Sequence, residues 1–168
     1  EEGKSSLMEN TVATPQGPQI EDQLKVEITD IAFGGAGVAR ADGLVIFVPF
    51  VIMGETALVE ITERKRDFAR ARLIQILQPA PERVEPKCSH FGECGGCQYQ
   101  HIDYDAQIRI KRDQVRNLFA RVGGFDTDIV GDIIPCTAPY GYRNRIMVRR
   151  QWDKTKEKAV YGFLRHDN

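Results

Sequence analysis

The sequence has no long apolar run. Its longest, Leu44–Met53, is broken by Pro49 and falls well short of the roughly 18 apolar residues that a membrane-spanning helix requires. Glu1–Gln19 lacks the basic end and apolar stretch of a secretory signal, and residues 1–21 are expected to form an unstructured leader. With no export signal, a cytoplasmic protein is expected, in a compartment where thiols stay reduced. The four cysteines then suit metal or redox ligation better than disulfides. There is no internal repeat, and no glycine-rich loop that follows a strand and opens a helix, which excludes a dinucleotide-binding turn. A charge excess is also missing: 23 Lys and Arg against 24 Asp and Glu give a net charge of −1, which by itself argues against nucleic-acid binding.

The distribution of charge says more than its sum. Residues 21–87 carry nine bases and eleven acids, whereas residues 101–168 carry thirteen bases and nine acids. The C-terminal part is therefore the phosphate-facing candidate, although a solvated surface often has the same asymmetry. At 42% hydrophobic and 28% charged residues, the chain has an ordinary globular composition and can bury a core.

From Asp22 to about Pro81 the pattern is one of short strands. In Leu24–Ile31, the residues Val26, Ile28 and Ile31 suit one sheet face. Gly34–Gly37 marks a bulge or tight turn, and Val38–Arg40 with Leu44–Val48 reads as a hairpin turning at Ala41-Asp42-Gly43. Glu55–Thr62 and Ala69–Leu77 supply two more strands around a charged turn at Glu63–Asp67. Five short strands with glycine at the corners predict a small closed barrel of the OB type over residues 22–83, within a mainly β, α+β chain.

Gln78–Pro86 reads as a stiff, proline-punctuated linker into the cysteine segment. A helix is expected over Tyr104–Val122, capped by Asp103 and stopped by Gly123-Gly124. Its buried stripe is expected to be Ile108, Val115, Leu118, Phe119 and Val122. A strand is expected over Arg143–Trp152, with Ile146, Val148 and Trp152 on an apolar face and arginines opposite, and a return strand over Ala159–Leu164. Residues 84–168 then form a second region, with an incomplete antiparallel sheet.

Cys88, Cys94 and Cys97 form a C-x5-C-x2-C cluster. Two thiolates three residues apart can hold one metal centre, because Gly95 and Gly96 permit a tight loop and leave amides free to point at sulfur. Three cysteines so close together rarely belong to an apolar core, and a catalytic thiol does not require three. On spacing alone two readings stay open: zinc on the three thiolates plus His90 or His101, and an iron–sulfur cluster. The usual radical-SAM spacing of cysteines is absent.

The segment Cys88-Ser89-His90-Phe91-Gly92-Glu93-Cys94-Gly95-Gly96-Cys97-Gln98-Tyr99-Gln100-His101 closely resembles the cluster-binding signature of the RNA (uracil-5-)-methyltransferase family. Tyr104, Gln107, Lys111 and Gly123-Gly124 resemble the stretch after that signature in the family, and so does Tyr140-Gly141-Tyr142-Arg143-Asn144-Arg145. The preceding barrel resembles a TRAM domain, an OB-like RNA-binding module. The resemblance implies a 4Fe–4S cluster on Cys88, Cys94 and Cys97, with a fourth ligand outside this stretch and Cys136 an incidental thiol. It also implies S-adenosylmethionine-dependent methylation of uridine in ribosomal or transfer RNA. The catalytic cysteine, the base and the cofactor site of such enzymes lie in a further domain, so no catalytic residue is carried onto this chain, which is read as a monomeric N-terminal portion without activity of its own.

What remains here is recognition. Arg64, Lys65, Arg66, Arg70 and Arg72 on the barrel, and Arg143, Arg145 and Arg149 on the later strand, are the candidate phosphate contacts. Phe33 and Phe47 are the candidate stacking residues for unpaired bases. The alternative is a stand-alone zinc or iron–sulfur module that binds nucleic acid without enzyme activity.

Overall fold

The computed structural model describes residues 17–167. Residues 1–16 of the expected leader lie outside that range. Residues 17–21, by contrast, are docked on the barrel: Pro18 is buried, and the Glu21 amide donates to the Ile61 carbonyl at 2.9 Å.

Six strands make up the first sheet: β1 (Gln23–Glu27), β2 (Asp30–Ile31), β3 (Gly37–Ala41), β4 (Leu44–Val48), β5 (Thr56–Arg64) and β6 (Phe68–Gln78). They are ordered β1-β5-β6-β4-β3-β2, all antiparallel except the β4–β6 pair. β1 and β2 are one strand bent at Ile28-Thr29. The Ile28 amide turns to Glu55 (2.9 Å) and the Thr29 amide to Val38 (2.8 Å), so the two ends of the sheet meet and the barrel closes. This is the five-strand expectation, with its first strand split by the bend. Register shifts along β5 and β6 curve the two longest strands around the core.

Alternation places Ile28, Ile46, Val48, Val59 and Ile61 inside, together with Val26 and Ile31 from the bent strand. The β3–β4 hairpin turns on Asp42 (φ 49°) and Gly43 (φ 80°), the left-handed pair that a two-residue hairpin loop demands. Gly37 is there for want of room. A methyl group at its Cα would sit 2.2 Å from a Val51 methyl and 2.9 Å from one of Ile28.

Helix α1 (Tyr104–Leu118) starts where expected, with the Asp103 carboxylate accepting from the amides of Asp105 (3.0 Å) and Ala106 (3.5 Å). A π-helical turn, Phe119–Gly123, finishes it, and Gly124 caps the end at φ 66°. The expected buried stripe is not there. Val115, Leu118, Phe119 and Val122 are exposed, Val122 at 80%, and Ile108 is half-buried. The helix instead meets the barrel through Ala106, which is buried, and Ile110, which touches the barrel core, while the turn from Val115 to Leu118 buries no side chain. Gln114 adds a polar anchor: its amide group donates to the carbonyls of Ile31 (3.3 Å) and Ala32 (2.9 Å).

The expected Arg143–Trp152 strand is also shorter. A two-stranded ribbon, β7 (Arg149–Asp153) and β8 (Lys158–Gly162), begins only at Arg149, and residues 143–148 form no strand. The apolar face has no layer to cover it among the described residues, with Ile146 at 62% and Trp152 at 61% exposure. Alternation specifies two faces, but burial needs a partner surface.

Candidate functional site

The barrel and the cysteine segment meet at a buried charge. Glu55 is fully buried, and Arg83 grips it with Nε at 2.5 Å and an η nitrogen at 2.8 Å, while the other carboxylate contacts are the amides of Ile52 (2.8 Å) and Ala80 (3.2 Å). Burial pushes the Glu55 carboxyl up, but the Arg83 hydrogen bonds, these amides and the Arg83 charge outweigh it and hold the group below the usual carboxylate range. Arg83 also donates to the Phe50 carbonyl at 2.9 Å. The proline-rich linker is thus strapped to the barrel rather than spanning free, with Ala80, Ile52, Ile102 and Ala106 forming a small second core.

His101 sits beside this strap at 1% exposure, Nε2 3.4 Å from the Val51 carbonyl and Nδ1 without a partner. Desolvation pushes its pKa down to about 4, so the ring is neutral at pH 7. Its ring faces Phe91 of the cysteine loop at 5.3 Å, and Phe91 meets Phe50 edge-on at 5.1 Å. Phe50 contacts His166 in turn at 4.9 Å. This aromatic row joins barrel, loop and C-terminal segment. Phe50 holds φ 63°, a left-handed conformation that a bulky residue keeps only where its surroundings impose it.

The cysteine loop is built from short turns, with the Phe91 amide on the Cys88 carbonyl (3.1 Å) and the Cys94 amide on that of His90 (2.9 Å). The Gly96 amide points at the Cys94 sulfur (3.4 Å) as expected, whereas the Gly95 amide goes to the Leu164 carbonyl (2.8 Å). Gln100, part of the quoted signature but given no role by the sequence, clamps the loop. Its carbonyl oxygen accepts from the Cys88 amide (3.1 Å) while its NH2 donates to the Cys97 sulfur (3.1 Å). All four cysteines are free thiols. Among the described residues, no group of three or more His, Cys, Asp or Glu stands in position to hold a metal ion. The donor chemistry fits a thiolate-bound centre, with N–H groups already on two sulfurs, but the sulfurs do not converge. His101 is committed to the barrel junction, and His90 is exposed. Cys136 lies apart, its amide on the Tyr104 hydroxyl at 2.8 Å.

The basic candidates fall into separate places. Lys65 and Arg70 both pair with Glu63, at 2.8 and 3.3 Å, and Arg72 makes a bidentate pair with Glu60. Arg66 is exposed at the β5–β6 turn, and the Arg64 Nε is buried without a partner. Arg143 lies over the Tyr142 ring at 6.0 Å, and Arg145 is exposed. Phe33 stands out at 85% exposure. Phe47, on the outer side of β4, is half-buried edge-on against Phe68 (5.8 Å), with the Arg70 guanidinium 5.9 Å from the Phe68 ring.

Two candidates from distant parts of the chain, Arg70 and Arg149, line one cleft of about 540 Å³ between the barrel and the cysteine loop. Gly34, Gly35 and Phe50 form its barrel wall, and Gly95–Gln98 face them. Gly35 keeps these walls close, since a methyl group there would lie 3.2 Å from the Gln98 Cβ. Phe163, Arg165 and His166 complete the cleft, and sequence reasoning missed all three because their meeting with the loop depends on the ribbon's placement.

Residues 11–74 match the TRAM domain family. An uncharacterized RNA methyltransferase of Halalkalibacterium halodurans is 37% identical over 76% of this chain and 28% of its own length. The 23S rRNA (uracil(1939)-C(5))-methyltransferase RlmD of Shewanella frigidimarina is 35% identical over 86% of this chain and 32% of its own. The crystal structure of Pyrococcus abyssi tRNA (uracil-54, C5)-methyltransferase in complex with S-adenosyl-L-homocysteine aligns at 29% identity and a TM-score of 0.49, over 72% of this chain and 26% of that one. The chain therefore spans about a third or less of the length of these relatives.

Proposed function

Because this chain carries a TRAM domain and is homologous over most of its length to the RNA (uracil-C5)-methyltransferases, we propose that it is the RNA-engaging portion of such an enzyme. The parent activity would be S-adenosylmethionine-dependent methylation of a uridine carbon five in ribosomal or transfer RNA, in the cytoplasm. The observation that carries this reading is the joining of an OB-like barrel to the cysteine loop through the Glu55–Arg83 strap, with Arg70 and Arg149 facing the same cleft.

Recognition here rests on charge and stacking. Arg64, Lys65, Arg66 and Arg70 at one end of the barrel, with Arg143, Arg145 and Arg149 on the later segment, supply phosphate contacts, and Phe33 and Phe47 supply faces for unpaired bases. Cys88, Cys94 and Cys97 hold a 4Fe–4S cluster once the loop tightens around it, with no fourth ligand assigned to this chain. When bound, that cluster supplies a rigid cross-link and takes no part in methyl transfer. Gln100 and Gly96 already place N–H groups on two of the sulfurs, as hydrogen bonds to cluster-bound sulfur require. No residue of this chain is assigned to bond making.

Anaerobic reconstitution of the chain with iron and sulfide tests the cluster. A brown protein absorbing at about 400 nm, with the absorbance lost in Cys94→Ser, is expected. A colourless protein carrying one zinc per chain would replace the cluster with zinc. Binding of the chain to single-stranded RNA, measured against a salt series, tests the RNA assignment. A slope of log affinity on log salt near zero would end it.

A further inference from the structure

The cleft between barrel and cysteine loop has an uneven chemical make-up. Arg70, Arg149 and Arg165 line it, and among the described residues no Asp or Glu does. Arg70 and Arg165 each lean on one acid outside the lining, Glu63 at 3.3 Å and Asp167 at 3.1 Å, whereas no ion pair of Arg149 occurs among the described residues. A concave surface that gathers guanidinium groups without carboxylates focuses positive potential and calls for an anion. Much of the two walls is glycine backbone, from Gly34 and Gly35 on one side and Gly95 and Gly96 on the other, so a flat group can approach the main chain closely. Between them Phe163 lies 49% exposed, an aromatic face left open in a charged cleft.

We propose that this cleft seats one unpaired nucleotide of RNA, with its phosphates held by Arg70 and Arg149 and its base laid on Phe163. The proposal rests on the RNA-binding function and gives it a place. A volume of about 540 Å³ lies in the range of small-molecule sites and suits a single nucleotide. A free phosphate would use the arginines but leave the Phe163 face unused. A base paired and stacked inside a duplex cannot reach that face, so the site selects single strands. Arg70 also belongs to the outer barrel patch, over the ring of Phe68, which meets Phe47 edge-on. The patch and the cleft therefore share one arginine, and a strand crossing the barrel at Phe47 and Phe68 enters the cleft at Arg70.

Neighbouring residues on β7 provide an internal control. Arg149 and Arg150 are consecutive on the strand, so their side chains leave on opposite faces, and only Arg149 lines the cleft. The test is fluorescence anisotropy of the whole chain with a short labelled oligouridine single strand and a duplex of equal length, across a salt series. Arg149→Ala is expected to weaken single-strand binding about fivefold or more and to lower the salt slope by about 0.7, while Arg150→Ala changes neither by as much as half of that. Phe163→Leu keeps an apolar side chain and should cost about tenfold on the single strand with the slope unchanged and duplex binding unaffected; Phe163→Trp should retain affinity. Equal losses for Arg149→Ala and Arg150→Ala would overturn the cleft in favour of diffuse electrostatics. Undiminished binding by Phe163→Leu would remove the stacking site. A wild-type chain that binds no single strand would remove both this inference and the RNA-binding function beneath it, whereas wild-type binding indifferent to these variants would remove the inference alone.

Discussion

Glu55 and Arg83, 28 residues apart in the chain, form a two-point ion pair at the base of the barrel, the carboxylate wholly buried and the guanidinium partly so. The pair fixes the course of the linker, since the same carboxylate also holds the Ala80 amide and Arg83 holds the Phe50 carbonyl. Replacing Arg83 by Met leaves a buried charge with only its two amide donors. A loss of about 3–5 kcal/mol in urea unfolding is expected, while Glu55→Gln with Arg83→Met together should recover much of it. A double variant no more stable than Arg83→Met alone would show that the arginine acts by packing.

His101 gives the chain an acid-sensitive joint. Its folded pKa of about 4 lies below the ordinary 6.5 because the ring is desolvated between the barrel and Phe91. Between those values the unfolded chain binds more protons than the folded one, so stability is fully present above pH 6.5 and falls as the pH drops toward 4. The loss approaches about 3 kcal/mol, at about 1.4 kcal/mol per pKa unit. Glu55, whose pKa is also lowered, weakens the fold further only below its unfolded value of 4.5. Melting temperatures from pH 7 to pH 4 check this, and His101→Phe should flatten the upper part of the acid limb.

Gly37 tests the barrel interior. Alanine there meets Val51 at 2.2 Å, and the stiff branched neighbours have little room to yield, so a loss of about 1–3 kcal/mol is expected from urea unfolding. Gly43→Ala instead strains a left-handed turn with open space around it, so its cost is one of backbone conformation alone.

Glu63 engages two of the proposed phosphate contacts, Lys65 and Arg70. Glu63→Gln should release both cations and raise single-stranded RNA affinity about two- to threefold at low salt, with the gain fading as salt rises. An unchanged or lower affinity would show that the paired arrangement is the one that RNA meets.

Much of the barrel was legible in the chain order alone. Val26, Ile28, Ile46 and Val48 alternate, Asp42-Gly43 specifies its hairpin, and each of these signals acts over a few residues. Asp103 and Gly124 mark the helix ends for the same reason: a cap needs only its own first or last turn. The misreadings came where periodicity was taken for burial. Val122 and Trp152 occupy regular positions on a helix and a strand, yet burial depends on whether another layer covers them.

The candidate site divides along the same line. Sequence by itself determined that three thiols fall within ten residues and that arginines recur on two separate segments, because spacing and charge are properties of the chain. Only the tertiary structure decided that Arg70 and Arg149 share a cleft, that Phe163 lies open between them, that Gln100 bridges Cys88 and Cys97, and that His101 turns inward to the barrel. Those relationships join residues through barrel closure and the docking of the linker, and no local pattern records where such a closure brings the chain back upon itself.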